Sequence, residues 1–381
     1  MSIRYHSVQP ENTKASYQEM DQIDFNISYT GRKIVANTVR LVGYVNIKYA
    51  PGAVPAQITS ELKNDPFTGC HCFIDRIDTS FSTSGVVENL SDYPRYISTK
   101  AHASLQVDDL NNSVYVCEGR SGSEGVAVSL LKGMVDYSKA NLEEPVLDAT
   151  TQNLDFSLKL DNCLNNVVSS DGNIPAVKTG DIRVSLTLAR NVSILFANAN
   201  IGNTVYYELL NLKLMFCSIP DDGVYAPSYQ MRVKTSLKNS LQSSYANIST
   251  KVPMICDSMF CSVIQQANEN NIMFNGLECQ RPPNVEALQF IWSDSLSQEF
   301  RYELRSEEEI LHNFIKAVSK QVASNSCNPN ALASNKAWGL GLDFGQFVDL
   351  SQSKIGINLK SGITSGNAYT LYMFFSGLFN L

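Results

Sequence analysis

Along most of this chain apolar residues recur at every second position, the period of a strand with one buried face. Ile23 to Tyr29, Leu154 to Leu160, Ile182 to Leu188 and Ser193 to Phe196 read as strands on this pattern, as does Lys33 to Tyr49, where Val39, Leu41, Val45 and Ile47 share one alternation. A further strand is predicted from His71 to Thr83. In two places the period lengthens. Glu88 to Val107 reads as helical, with Pro94 suited to a first turn. Ser306 to Ser324 sets Ile310, Leu311, Phe314, Ile315, Val318 and Val322 on one helical stripe. Ser306 stands where it can cap that helix, Glu307 to Glu309 suit its positive end, and Asn325 to Asn330 with Pro329 stops it. The stripe is expected to be core, laid over the flank of a sandwich, rather than a binding face.

Two stretches echo each other. Val192 to Phe216 and Ile355 to Phe379 each run from an alternating strand through a turn with Gly202-Asn203 or Gly366-Asn367 into a longer apolar strand. Each is expected to be a hairpin that closes a β domain. Upstream, the strand opened by His71 to Ile74 leads to Tyr93 to Ala101 in the same way that Leu288 to Ile291 leads to Glu309 to Ala317. The repeated order of strand, short helix and terminal hairpin predicts two tandem β domains. Residues 1–22 read as a polar N-terminal arm, because Pro10, Asn12 and Thr13 resist regular structure. Residues 23–220 form the first domain, with an excursion inserted at about 108–166, and Pro, Asp and Gly gather from Ser218 to Pro227 at its end. The second domain is 221–381, its first strand beginning near Met231.

A chain of 381 residues can enclose two cores, and a 44% hydrophobic share fills them. No apolar run approaches the roughly 20 residues that span a bilayer. The start, Met1 to His6, lacks the basic and then apolar profile of a secretory signal, so synthesis in a cytosol is expected. Nine scattered cysteines, an odd number without a spaced framework, predict reduced and mostly buried thiols. In Cys70-His71-Cys72 strand alternation would point the histidine away from both thiols, which argues against a zinc site. A net charge of −7 with 18% charged residues leaves no global basic field for nucleic acid. Gly31-Arg32-Lys33, with Arg40 and Lys48 nearby, is expected to be a solvated turn.

Catalytic signals are sparse. The histidines are His6, His71, His102 and His312, none beside a serine or cysteine in a nucleophile setting, and neither Gly-x-Ser-x-Gly nor His-Glu-x-x-His occurs. Gly339 to Gly345 lacks the Gly-Lys-Ser/Thr end of a phosphate loop and reads as a turn. Asp75, Asp78, Glu88 and Asp92 could pair as carboxylates, but acids are ordinary at loop ends. No catalytic, cofactor-binding or metal-ligating residue is assigned, no cofactor is called for, and the chain is not expected to be an enzyme.

The layout resembles the double jelly-roll major capsid proteins of icosahedral DNA viruses of the tectivirus and adenovirus lineage. The resemblance runs from about Ile23 to Leu381 and is carried by Pro175 to Leu186, by Trp292 to Leu296 and by Ile357 to Phe375. It implies an all-β chain of two tandem jelly-roll β-barrels, each with a short flanking helix. It further implies a homotrimer that forms a pseudo-hexameric capsomer, tiles a virion shell and is made in the host cytoplasm. Neighbouring capsomers, penton and minor capsid proteins and an internal membrane are the partners so implied, without specific nucleic-acid recognition. The stretch from Asp108 to Ala149 would then supply outer loops or trimer contacts. Two other readings stay open: a carbohydrate-binding or glycoside-cleaving β-sandwich, and a penton or spike-type virion protein.

Overall fold

The computed structural model describes residues 2–49, 62–105, 117–120, 154–168, 172–197, 205–293, 298–322 and 338–381. The first half supplies β1 (Arg4–Val8), β2 (Gln22–Ile27), β3 (Arg32–Val35), β4 (Arg40–Tyr49), β5 (Leu62–Asn64), β6 (Ile74–Phe81) and β7 (Gly85–Leu90). Helix α1 (Tyr93–Ser104) follows, then β8 (Leu154–Lys159), β9 (Asn173–Pro175), β10 (Ile182–Leu188), β11 (Leu195–Ala197) and β12 (Val205–Pro220). The second half supplies β13 (Gln230–Leu241), β14 (Tyr245–Thr250), β15 (Ile255–Gln265), β16 (Ala287–Ser293) and β17 (Glu299–Leu304). Helix α2 (Glu307–Val322) precedes β18 (Leu340–Asp349), β19 (Ile355–Lys360) and β20 (Tyr369–Asn380).

The second half shows its topology directly. One sheet orders its strands β18-β15-β20-β13 and the other β14-β19-β16-β17. Counted from β13, these are sixth, third, eighth, first and second, seventh, fourth, fifth, the strand order of a jelly roll. The first half repeats it. Leu214 and Met215 of β12 pair with β4 on one edge while β1 takes the other edge, so β8-β4-β12-β1 form one sheet. The opposite sheet runs β7-β6-β10-β2. In both rolls the helix lies between the fifth and sixth strands.

Core placement follows from which faces are covered. Strand β20 is buried at nine successive positions, which alternation alone cannot produce. Leu371, Met373 and Phe375 enter the core of the second roll, whereas Tyr372 and Phe374 point the other way into a core that continues into the first roll. In β15, Met259, Cys261 and Val263 face inward and Phe260 and Ile264 outward on the same plan. The two rolls therefore share a buried face, and β7 lies parallel to β13 where Asn89 meets Thr235, joining their sheets.

Several sequence expectations need correction. The segment read as an arm contains β1, whose Arg4 and Val8 pair with Ser218 and Leu214, and Tyr17 beyond it is buried. The two echoed segments are not hairpins: β19 pairs with β14 and β16 while β20 pairs with β13 and β15 in the facing sheet. Likewise β11 pairs with β5 and not with β12, and the counterpart of β19 is β10. A jelly roll sends consecutive strands to opposite sheets, so a turn signal between them does not make a hairpin. The predicted excursion ends too late, since β8 belongs to the roll, with Leu158 buried; residues 121–153 lie outside the described ones.

The helical reading from Glu88 is displaced as well, for Glu88 lies within β7 and α1 starts at Tyr93 with Pro94 in its first turn. His71 sits in a 3-10 turn, Gly69–Phe73, and not in a strand. Lys33 is buried, with its ammonium 2.8 Å from Asp222, so the supposed solvated tip is pinned to the stretch between the rolls. Finally, Gly339 to Gly345 enters β18 instead of turning. A methyl group at Gly341 would come within 2.7 Å of the Phe314 Cα, so glycine there lets α2 lie directly on the strand. The capping expected of Ser306 holds: its Oγ accepts the Glu309 N–H at 3.2 Å.

Candidate functional site: the seam between the rolls

Helix α1 is the clasp. Arg95 donates to the Gly276 carbonyl at 2.5 Å and lies 4.3 Å over the ring of Tyr372, both in the second roll. One turn on, Ser98 donates to the Leu277 carbonyl at 2.9 Å. Tyr96 is wholly buried between Phe260, at 5.5 Å, and Phe374, at 5.4 Å, and its hydroxyl reaches Gln321 of α2. The periodicity of α1 explains this: residues 95, 98, 99 and 102 form one ridge of polar side chains, of which Arg95 and Ser98 reach backbone carbonyls, Thr99 the Cys279 sulfur and His102 the Asp65 carboxylate. Asp65 extends the clasp, accepting from Asn275 at 2.7 Å and lying 3.0 Å from His102.

Beside it lies a buried ionic knot. Lys234 of β13, whose side chain is fully buried, is 2.6 Å from Asp161, and Lys100 of α1 reaches the other oxygen at 2.5 Å. Burial would raise the Asp161 carboxyl, but the two ammonium groups overcome it and hold it well below the usual carboxylate range. The Asp161 N–H is accepted by the Tyr93 hydroxyl at 3.1 Å, and that hydroxyl is 2.9 Å from His71 Nδ1. Burial pushes the His71 imidazole down against the pull of Glu118, whose carboxylate is 3.3 Å from Nε2 and 3.1 Å from Arg120. A neutral imidazole protonated on Nε2 lets Tyr93 donate to Nδ1 while accepting from Asp161.

Such a knot fixes orientation rather than doing chemistry. Every member is engaged by a neighbour inside the protein, and Cys70 and Cys72, flanking His71, are buried with thiols pushed above their ordinary range by burial. Among the described residues no group of three or more His, Cys, Asp or Glu is placed to hold a metal ion. Asp75 and Asp92 do approach each other, and burial followed by their mutual charge raises Asp75 to about 6. Sequence reasoning missed Asp161, Lys100 and Lys234 altogether. The available signal was Lys234 itself, a charge set among the core residues Met231 and Val233 and so in need of a buried partner.

Glu88 gives the seam a pH dependence. Burial raises its carboxyl to about 7, partly offset by Lys234, and its oxygen accepts the Cys163 N–H at 2.7 Å. A raised carboxylate stabilises the fold fully below its ordinary value of 4.5, and the contribution is lost as pH rises through about 7. Asp161 works oppositely: its contribution is present above its ordinary 3.8 and is lost as pH falls below it. Thermal unfolding should therefore show a stability maximum between these limits. The Glu88→Gln variant should flatten the decline between pH 4.5 and about 7, which amounts to up to about 3 kcal/mol; an unchanged decline would remove Glu88 as its source.

The strand order and the shared seam define an all-β double jelly roll. Solved structures with this fold align over the whole chain. The Faustovirus major capsid protein superposes with a TM-score of 0.62 at 8% identity, covering 100% of this chain and 90% of its own. PBCV-1 VP54, fitted into a reconstruction of the virophage Sputnik, gives 0.57 at 8% identity, with 100% and 95% covered. The STIV MCP, from Sulfolobus Turreted Icosahedral Virus, gives 0.50 at 10% identity, with 98% and 96% covered. At such identities the likeness is one of fold. No protein-family model matches the chain, and no curated protein matches it in sequence.

Proposed function

We propose that this chain is a structural major capsid protein that trimerises into pseudo-hexameric capsomers and tiles an icosahedral virion shell. The observation that carries the reading is the seam: two like rolls locked at one fixed angle by α1 and the Asp161 knot make a rigid two-roll block. Three such blocks around a threefold axis give six rolls, a shape that fills a hexagonal lattice. Whole-chain likeness to capsid proteins of several viruses supports it. In this reading residues 221–229 divide the rolls, and neighbouring capsomers are the main partners. Penton and minor capsid proteins or an underlying membrane are the further ones, synthesis takes place in the host cytoplasm, and the role is architectural instead of enzymatic.

Light scattering on the purified chain tests this. The expected mass is three times the 42.1 kDa of one chain, retained on dilution. A stable monomer would overturn the preformed trimer and turn attention to the sandwich-type sugar-binding alternative.

A further inference from the structure

Asn275-Gly276 is the one Asn-Gly pair in the whole sequence, and it stands at the clasp. Asparagine before glycine is the dipeptide most prone to spontaneous deamidation, because glycine has no side chain to shield its nitrogen from the asparagine Cγ. The Gly276 nitrogen attacks the Asn275 Cγ and gives up its proton, ammonia leaves, and a succinimide ring remains. Water then opens the ring to aspartate or isoaspartate. The net change converts one amide and one water into one carboxylate and one ammonium ion.

The closed clasp opposes the first step. The Asn275 Nδ2 donates to Asp65 at 2.7 Å and to Glu278 at 3.1 Å, while Oδ1 accepts the Leu277 N–H at 3.2 Å. Turning Cγ onto the Gly276 nitrogen breaks these bonds. The backbone is held as well: Arg95 and Ser98 of α1 donate to the Gly276 and Leu277 carbonyls. A methyl group at Gly276 would come within 3.1 Å of the Glu269 carbonyl oxygen and 3.2 Å of that of Ser193, so this turn has little room to shift while the rolls stay together.

The product does not fit where the amide did. A carboxylate at 275 has no hydrogen to donate, and it would face Asp65 on one side and Glu278 on the other. Asp65 is fully buried; burial pushes its carboxyl up, but His102 and its hydrogen bonds bring it down to about 2, so it is ionised. Like charges so placed repel each other.

We propose that Asn275 is a one-way catch on the seam: it survives while the rolls are clasped, deamidates when they part, and as a carboxylate keeps α1 from closing on the second roll again. This is a property of the single chain and does not depend on the capsid reading. Chains would be aged in neutral buffer, with and without unfolding urea, then digested, and the peptides holding Asn275 and Asn239 followed by mass spectrometry. Asn239, which precedes Ser240 within β13, is the internal reference. Deamidation at 275 is expected to be about tenfold or more slower in the folded chain than in urea, since reaction requires the open form. Ser98→Ala, which removes one hydrogen bond of the clasp, should speed it about fivefold in the folded chain without altering the rate in urea or at Asn239. Equal rates at 275 in folded and unfolded chains, no acceleration in Ser98→Ala, or the same acceleration at Asn239 would overturn the catch. The product is tested by Asn275→Asp, which should quicken hydrogen exchange in α1 about tenfold or more. Asn275→Ser, which loses the amide without gaining a charge, should quicken it less, and equal exchange in these two variants would likewise overturn the proposal.

Discussion

Replacing Asp161 by alanine destabilises the chain by about 3–5 kcal/mol, the cost of leaving buried charge without its partner. The effect is large because Lys234 cannot swing out to water: its side chain is fully buried, and Asp161 meets its ammonium with both a carboxylate oxygen, at 2.6 Å, and a backbone carbonyl, at 3.1 Å. Lys100, mostly buried on the other side, loses its partner as well. Replacing a buried pair together is far milder than breaking it. Asp161→Ala combined with Lys234→Met should therefore recover much of the loss, although Lys100 keeps a residue of it. Urea midpoints of the three proteins decide the matter. If the double variant is no better than the single one, the knot is not the source of the effect.

The second large effect is expected from Phe314→Ala. Phe314 is fully buried where α2 crosses Gly339 and Gly341, with its ring 6.4 Å from that of Phe260. Truncation empties space that the neighbouring glycines cannot refill, and aromatic-to-alanine changes in cores cost about 3–5 kcal/mol. Because α2 packs on α1 as well as on β18, the loss should spread across the seam. Hydrogen exchange should then quicken in α1 and α2 together. Acceleration confined to α2 would show that the helices dock independently.

The all-β class, both flanking helices and the repetition of the architecture were legible because each rests on local periodicity. Strand β10 and helix α2, with its Ser306 cap, stand where the pattern put them, since one buried face and one exposed face leave a clear alternation. What stayed hidden depends on residues far apart. Strand β1 has five residues with little alternation, and nothing near it announces a partner beyond residue 213. The glycines of β18 resemble a turn until α2 is laid across them. Lys33 looked like a loop charge because Asp222 is distant in sequence. The seam was illegible for the same reason: its aromatic members read as strand and helix core, which they are, but the core they fill belongs to two rolls at once.

The pairing of β1 with β12 also sets a timetable for synthesis. His6 and Ser218, which share a hydrogen bond at 2.6 Å, are separated by 212 positions. At roughly 5–20 residues per second, a ribosome needs about 10–40 s to bridge that gap. Throughout this interval the first strand, with Ile3 and Tyr5, has been made but its partner strand has not. Crowded polysomes making this chain would thus hold many such strands at once, each with exposed apolar side chains and no strand yet to pair with.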